Sequence, residues 1–267
     1  MAHPNPPSSR PVAFITGASS GFGRGLALRL AEAGYAVGVS ARRKDRLKGL
    51  VEEVEASGGK AASYPCDVAD RDALLEAIRR SESELGPVDI LIANAGVSTH
   101  APPEALDSRE VERVMAINFL GTVTAAEAVL PGMLERGAGQ IVVVSSLASF
   151  QGLLYHGSYC ASKAAMNAFF ESLRLDVRHR GIDVTIIAPG FVKTEMTANR
   201  PYPMPFLMEL EPALDIMLKG IRKRRKLVRF PAPLSTATFW ARVLPRSAYD
   251  WFVGKVMGRG KAGAAGT

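Results

Sequence analysis

Cysteine is nearly absent from the 267 residues: Cys66 and Cys160 are the only two. Two cannot build a disulfide framework, which points to a reducing compartment. Long hydrophobic runs are lacking too, and no stretch reads as the roughly 20 apolar residues that a membrane-spanning helix needs. The first residues, Met1-Ala2-His3-Pro4-Asn5-Pro6-Pro7, have no charged-then-apolar signal pattern. Residues 1–10 therefore read as a flexible leader and the protein as cytoplasmic. Acids are scarce toward the end: from Lys219 onward twelve Lys and Arg face one acid, Asp250. Upstream, 21 basic residues stand against 25 acidic ones, a net charge of −4, so the overall +7 is a property of the C-terminal part. No nucleic-acid reading module accompanies that basicity, and no metal site is predicted.

What is present is a repeating alternation. Hydrophobic residues make up 47% and charged residues 22% of the chain, which excludes a disordered class. Short β-branched runs (Val12–Ile15, Ala36–Ser40, Ala61–Pro65, Val88–Ala93, Gln140–Val144, Asp183–Ile187) alternate with stretches of helical character. Near-continuous apolar strands separated by helices imply parallel strands covered on both faces. The predicted fold is α/β: a single doubly wound Rossmann domain with a parallel sheet and a C-terminal helical extension. Residues 11–195 form the dinucleotide-binding and catalytic core. Residues 196–259 form a substrate loop and a basic helical extension, and residues 260–267 a small-residue, disordered tail.

Thr16-Gly17-Ala18-Ser19-Ser20-Gly21-Phe22-Gly23 falls between the first strand and the first helix. Glycines there let a pyrophosphate approach the backbone, and the helix N-terminus offers free N–H groups and a favourable dipole. A plain tight turn is the alternative. At the end of the second strand an acid would accept hydrogen bonds from the ribose of NAD and repel a 2′-phosphate. This chain has Ala41-Arg42-Arg43-Lys44 instead, with guanidinium forks suited to a phosphate. NADP(H) is the expected cofactor; a solvated basic loop is the bland reading.

Tyr159 and Lys163 are spaced i, i+4 on a stretch, Ala161 to Arg174, that reads as helix. Both then project from one face. A tyrosine phenol with an ordinary pKa near ~10 is a poor base at neutral pH. A neighbouring ammonium favours the phenolate. Alone this spacing is weak evidence.

Together with Thr16-Gly17-x-x-x-Gly21-x-Gly23, Asp67, Asn94-Ala95-Gly96, Asn118, Ser145-Ser146 and Pro189-Gly190, the chain resembles the short-chain dehydrogenase/reductase family over about Pro11 to Glu195. The resemblance is to its single-domain, NADP-preferring members. It implies a catalytic set of Asn118, Ser146, Tyr159 and Lys163. Ser146, thirteen residues before Tyr159, would bind the substrate oxygen; Tyr159 would give or take the proton. Lys163 would hold the nicotinamide ribose and tune the tyrosine, and Asn118 would hold a water linking Lys163 to solvent.

The resemblance assigns the cofactor to Gly17, Ser19, Ser20, Gly21, Phe22, Gly23, Arg42, Arg43, Asp67, Val68, Asn94, Ala95, Gly96, Tyr159, Lys163, Pro189, Gly190, Val192 and Thr194. Asp67 and Val68 would lie by the adenine and Asn94 would brace the sheet. Val192 and Thr194 would orient the carboxamide. It also implies a homodimer or homotetramer. The three-residue gap between Tyr159 and Lys163 argues against an enoyl reductase, and the short C-terminal part against an epimerase.

Substrate contacts are expected from Ser146, His156, Met196 and Phe206. The Met- and Pro-rich segment around Tyr202 to Met208 suits a hydrophobic carbonyl or alcohol: steroid-, lipid- or aromatic-like. Cys160 reads as a packed residue. Tyr249, Phe252, Val253, Val256 and Met257 share one helical face. With the basic run Lys219 to Arg229 this suggests peripheral contact with an anionic membrane; packing on the domain or a subunit is the other reading. A protein that senses NADP(H) without chemistry is the competing function.

Overall fold

The computed structural model describes residues 10–198, 204–241, 245 and 247–251. Seven strands form one sheet: β1 (Val12–Thr16), β2 (Ala36–Ser40), β3 (Lys60–Ser63), β4 (Val88–Ala93), β5 (Gly139–Val144), β6 (Ile182–Pro189) and β7 (Leu227–Phe230). All adjacent pairs are parallel, in the order β3-β2-β1-β4-β5-β6-β7. The fold is the expected doubly wound α/β Rossmann sheet in a single domain. β1, β2 and β5 are buried along their whole length, as strands covered on both faces must be.

The helices divide between the two faces. α1 (Gly21–Glu32), α2 (Lys44–Ala56) and α7 (Leu210–Arg222) close one core around Ile15, Leu26, Val37, Leu47 and Leu214. α3 (Arg71–Leu85), α5 (Gly121–Arg136) and α6 (Gly157–Val177) close the other around Phe14, Leu91, Val129, Ile141 and Phe170. Helix starts follow their caps: Asp70 accepts from Ala73 N at 3.0 Å to begin α3. Asp107 does the same with Arg109 N at 2.9 Å for α4 (Ser108–Met115). Gly137, at φ +63°, terminates α5 in the left-handed conformation that glycine adopts without a Cβ penalty.

Two features go beyond the sequence expectation. β7 adds a strand to the six expected; its residues, Leu-Val-Arg-Phe, sit inside the basic run and their short alternation is masked by it. The other feature is continuity: α4, a wide π-helical turn (Ala116–Leu120) and α5 make one helix, Ser108–Arg136, long and apolar enough to cross a membrane by length and composition. The sequence was read as having no such run. Half of its apolar stretch is buried against the sheet and neighbouring helices, the setting of a core helix.

In this strand order the chain leaves β1 and β4 in opposite directions, and a crevice opens at their carboxyl ends. β7 is parallel to β6, so the Lys223–Lys226 turn that enters it lies at the amino-terminal edge, where Arg224 pairs with Asp183 at 2.6 Å. α8 (Ala232–Ala241) leaves β7 at the carboxyl edge.

Candidate active site

The glycine turn lies in the crevice and is packed from two sides. A Cβ at Gly17, whose φ is +68°, would stand 2.7 Å from Ala95 Cα; one at Gly23 would stand 2.5 Å from Gly17 O. Asn94 holds the turn from β4: its Nδ2 donates to Thr16 O (3.0 Å) and Gly17 O (3.2 Å). The Asn94 and Ala95 amides donate to Thr16 Oγ1, both at 3.1 Å. Asn94 is therefore spent on bracing, as the sequence suggested. The first turn of α1 then presents amides without intrahelical acceptors, aimed at a trough kept open by glycines. This cradle fits a pyrophosphate.

At the end of β2, Arg43 donates to Ser19 Oγ (3.0 and 2.8 Å) and Ser20 Oγ (2.8 Å), so the glycine turn and the basic segment form one surface. Arg42 faces Asp67 at 3.7 Å. Val68 is buried, and its carbonyl would stand 2.7 Å from a Cβ at Gly121. Two residues that sequence reading did not single out join this surface. Glu195 accepts from Arg43 at 2.7 Å and pairs closely with Arg46. The two guanidiniums hold its carboxyl down at about 2, Arg46 more than Arg43.

α6 starts at Gly157, so Tyr159 and Lys163 lie one turn apart near its beginning, as the spacing predicted. The Lys163 ammonium sits 6.0 Å from the centre of the Tyr159 ring. It is buried and donates to Val144 O at 2.8 Å. Burial lowers its pKa from the ordinary 10.5 to about 7, because desolvation penalises the charged form.

Asn118 occupies the wide turn and is fully buried. Its Oδ1 accepts from Val97 N (2.8 Å), and its Nδ2 donates to Val97 O and Ser162 Oγ (both 2.9 Å). A Cβ at Gly96 would meet Asn118 Oδ1 at 3.3 Å and Lys163 Nζ at 3.5 Å, so both polar ends converge on that glycine. Asn118 supports the site from behind; Ser146, Tyr159 and Lys163 line its cavity. Ser146 Oγ accepts from Ala148 N at 3.1 Å. Ser145 is buried with its hydroxyl directed to Lys163 O at 3.5 Å, which leaves Ser146 the more accessible of the pair.

The cavity has a volume of about 330 Å³. Phe22, Asn94, Gly96, Pro189, Gly190, Val192 and Thr194, expected at the cofactor, line it. His156, Met196 and Phe206, expected at the substrate, line the same cavity. The His156 Nδ1 lies 2.7 Å from Leu154 O and its ring packs edge-on against His100 at 5.4 Å. Val192 pairs with Met208, so the segment after β6 is held at its base, and Thr197 Oγ1 donates to Val192 O at 2.6 Å. Cys160 is buried and its thiol pushed up, a packed residue.

The roof escaped the sequence reading. Leu234, Ala237, Thr238 and Ala241 of α8 line the cavity, and Tyr249 joins them. α8 carries no apolar stripe for periodicity to detect; its role follows only from β7 being a strand. A Cβ at Gly190 would strike Leu234 Cδ2 at 2.7 Å, which explains a glycine there. Tyr249 belongs to the helical face for which membrane contact and packing on the domain were the two readings. Its hydroxyl donates to Gly152 O at 2.6 Å and its ring lines the cavity, which for this residue is packing on the domain. The remaining members of that face, Phe252, Val253, Val256 and Met257, lie outside the described residues. Nor does the Lys223–Lys226 turn flank the cavity, being at the opposite edge of the sheet.

The parallel sheet thus carries a glycine cradle at its switch point, with Ser146, Tyr159 and Lys163 on a shared cavity. Residues 11–203 match the short chain dehydrogenase family model. The chain belongs to the short-chain dehydrogenase/reductase family. It is 45% identical to an uncharacterized oxidoreductase of Myxococcus xanthus (strain DK1622) over 239 residues, 90% of this chain and 94% of that protein. It is similar to the structure of an alcohol dehydrogenase from the archaeon Thermococcus sibiricus complexed with 5-hydroxy-NADP, at a TM-score of 0.74 and 25% identity, covering 82% and 95% of the two chains. It is also similar to a 7α-hydroxysteroid dehydrogenase complexed with NADH and 7-oxo glycochenodeoxycholic acid, at 0.77 and 26%, covering 83% and 93%. As a short-chain dehydrogenase/reductase, the chain is an oxidoreductase with a nucleotide-binding Rossmann fold.

Proposed function

We propose that this short-chain dehydrogenase/reductase uses NADP(H) to interconvert a hydrophobic ketone or aldehyde and its alcohol. The observation that carries the reading is one mostly apolar cavity that exposes the Ser146 hydroxyl, the Tyr159 phenol and the Lys163 ammonium together beside the glycine cradle. NADP(H), when bound, supplies or accepts the hydride. Ser146 holds the substrate oxygen, and Tyr159 gives its phenolic proton to that oxygen in reduction or takes it in oxidation. Lys163, with a pKa near neutrality, passes charge on and off at working pH. Asn118 fixes the Val97 loop and Ser162 around that lysine. The walls of Leu153, Met196, Phe206 and Leu234 exclude water and select an apolar substrate.

The preference for NADP(H) rests on Arg42 and Arg43 at the end of β2, where no carboxylate of that strand end would meet the ribose. The NADP analogue in the archaeal relative supports it; the steroid dehydrogenase, with NADH, shows that the fold serves both. That relative's 7-oxo ligand supports a bulky apolar ketone as the substrate class. A homodimer or homotetramer built on α5 and α6 accounts for the exposed Leu120, Phe169 and Leu175.

The test is a fluorescence titration with NADPH and NADH, followed by turnover on a panel of hydrophobic ketones with wild type and Tyr159→Phe. NADPH binding with turnover that Tyr159→Phe removes supports the proposal. Binding without turnover on a broad panel favours an NADP(H) sensor, and failure to bind either dinucleotide overturns the proposal.

A further inference from the structure

Glu195 stands where the proposed cofactor's phosphate has its natural partners. Arg43 is held in place by Ser19 and Ser20, two residues of the glycine turn, through three hydrogen bonds of 2.8–3.0 Å. Its remaining guanidinium edge donates to Glu195 Oε2 at 2.7 Å, and Arg46 grips the other carboxylate oxygen. Glu195 belongs to the segment after β6, between two residues that face the site: Thr194 approaches Gly21, its Cγ2 lying 3.4 Å from where a Cβ would be, and Met196 lines the cavity. An anion thus already fills the fork between two arginines, and the anion is on a segment that lines the cavity.

We infer that the Glu195 carboxylate is a built-in stand-in for the 2′-phosphate of NADP(H), that Arg46 is a phosphate-binding residue alongside Arg43, and that cofactor binding exchanges one anion for the other. The inference rests on the NADP(H) reading above.

The charges favour the exchange. A 2′-phosphate brings a charge of about −1.5 to −2 and three acceptor oxygens, against −1 and two oxygens for a carboxylate. Glu195 is half-exposed, so on leaving the fork it passes into water rather than into an apolar interior. NAD(H) has a ribose hydroxyl at that place and no anion with which to displace the carboxylate. Glu195 then stays bound, and the loop stays fastened to the start of α2. Discrimination between the dinucleotides and the position of the substrate loop become one event. The carboxyl is held as an anion far below neutrality, so the competition persists across the physiological pH range.

The experiment compares wild type, Glu195→Gln and Arg46→Gln for binding of NADPH and NADH by fluorescence and of adenosine 2′-monophosphate by calorimetry. An exposed ion pair is worth up to about 1 kcal/mol, which is about fivefold in a dissociation constant. Glu195→Gln is expected to tighten NADPH and adenosine 2′-monophosphate by about threefold and leave NADH unchanged. Arg46→Gln is expected to weaken NADPH and adenosine 2′-monophosphate and spare NADH. Circular dichroism confirms that each variant is folded. If Glu195→Gln weakens NADPH, the carboxylate is a clasp that cooperates with the cofactor, and the stand-in is overturned. An equal effect on both dinucleotides overturns it too. If wild type prefers NADH, the NADP(H) reading itself fails and the inference with it, a result visible before any variant is made.

Discussion

At the residue scale, the site separates groups that act from groups that hold. Tyr159 faces the cavity, and Tyr159→Phe removes the transferable proton while leaving the ring that packs there. The expected result is a loss of turnover of at least about a hundredfold with dinucleotide affinity nearly unchanged, in keeping with the size of acid–base contributions. Lys163 carries a signature that is readable without substrate. Its folded-state pKa, about 7, lies below its ordinary 10.5. Between those values the unfolded chain holds a proton that the folded chain has released, so stability rises with pH through that window. Below about 7 the buried charge burdens the fold fully. Thermal melts of the cofactor-free protein from pH 7 to 10 should show that upward slope, and Lys163→Met should flatten it. A wild-type slope that persists in the variant would assign the effect to other groups.

At the scale of elements, the wide turn between α4 and α5 and the α8 roof are the two devices that shape the site. Asn118→Ala strips the Val97 amide and carbonyl of their side-chain partner, while the Ser162 hydroxyl keeps its bond to Tyr159 O. Unsatisfied buried groups cost about 1–3 kcal/mol each. A loss of about 3 kcal/mol is expected in denaturant unfolding, together with slowed turnover. Tyr249→Phe leaves the ring and deletes one bond, to Gly152 O. A severalfold rise in KM for a bulky ketone is expected, with kcat changed less; an unchanged KM would deny Tyr249 a part in the roof.

These two devices also mark the boundary of what the amino-acid pattern reveals. The glycine turn, the Tyr159–Lys163 pair and six strands are legible because a periodicity or a short motif encodes each locally. The wide turn is not: Ala-Ile-Asn-Phe-Leu is unremarkable as helix, and only the pull of Val97 and Ser162 on Asn118 makes it a distinct place. β7 and α8 are hidden for a different reason. β7 is four residues long inside a basic run, and α8 is apolar on several sides, so neither has a pattern that stands out from its flanks. Arg46 and Glu195 lie 149 residues apart and meet only through the fold.

At the scale of the whole molecule, exposed apolar residues on α6 and beside α5 bear on assembly. Leu175 is 52% exposed and Leu120 55% exposed, in positions where pairing through these helices would cover them. Sedimentation should find wild type as a dimer or tetramer, and Leu175→Glu, which disturbs no core contact, should shift it toward monomer. A wild-type monomer, or a variant that sediments like wild type, would place the contact elsewhere.

The roof has a further consequence for how this catalyst changes over generations. The proton donor, its lysine and the dinucleotide trough are complete by Thr194, whereas Leu234, Ala237, Thr238, Ala241 and Tyr249, which bound the other side of the cavity, arrive later in the chain. Leu153 and His156 apart, a lineage can therefore rewrite what it recognises by altering a contiguous block, with the reaction chemistry left untouched. Grafting the block from Met196 onward between relatives should carry preference with it, as exchanging a mould changes the casting and not the furnace.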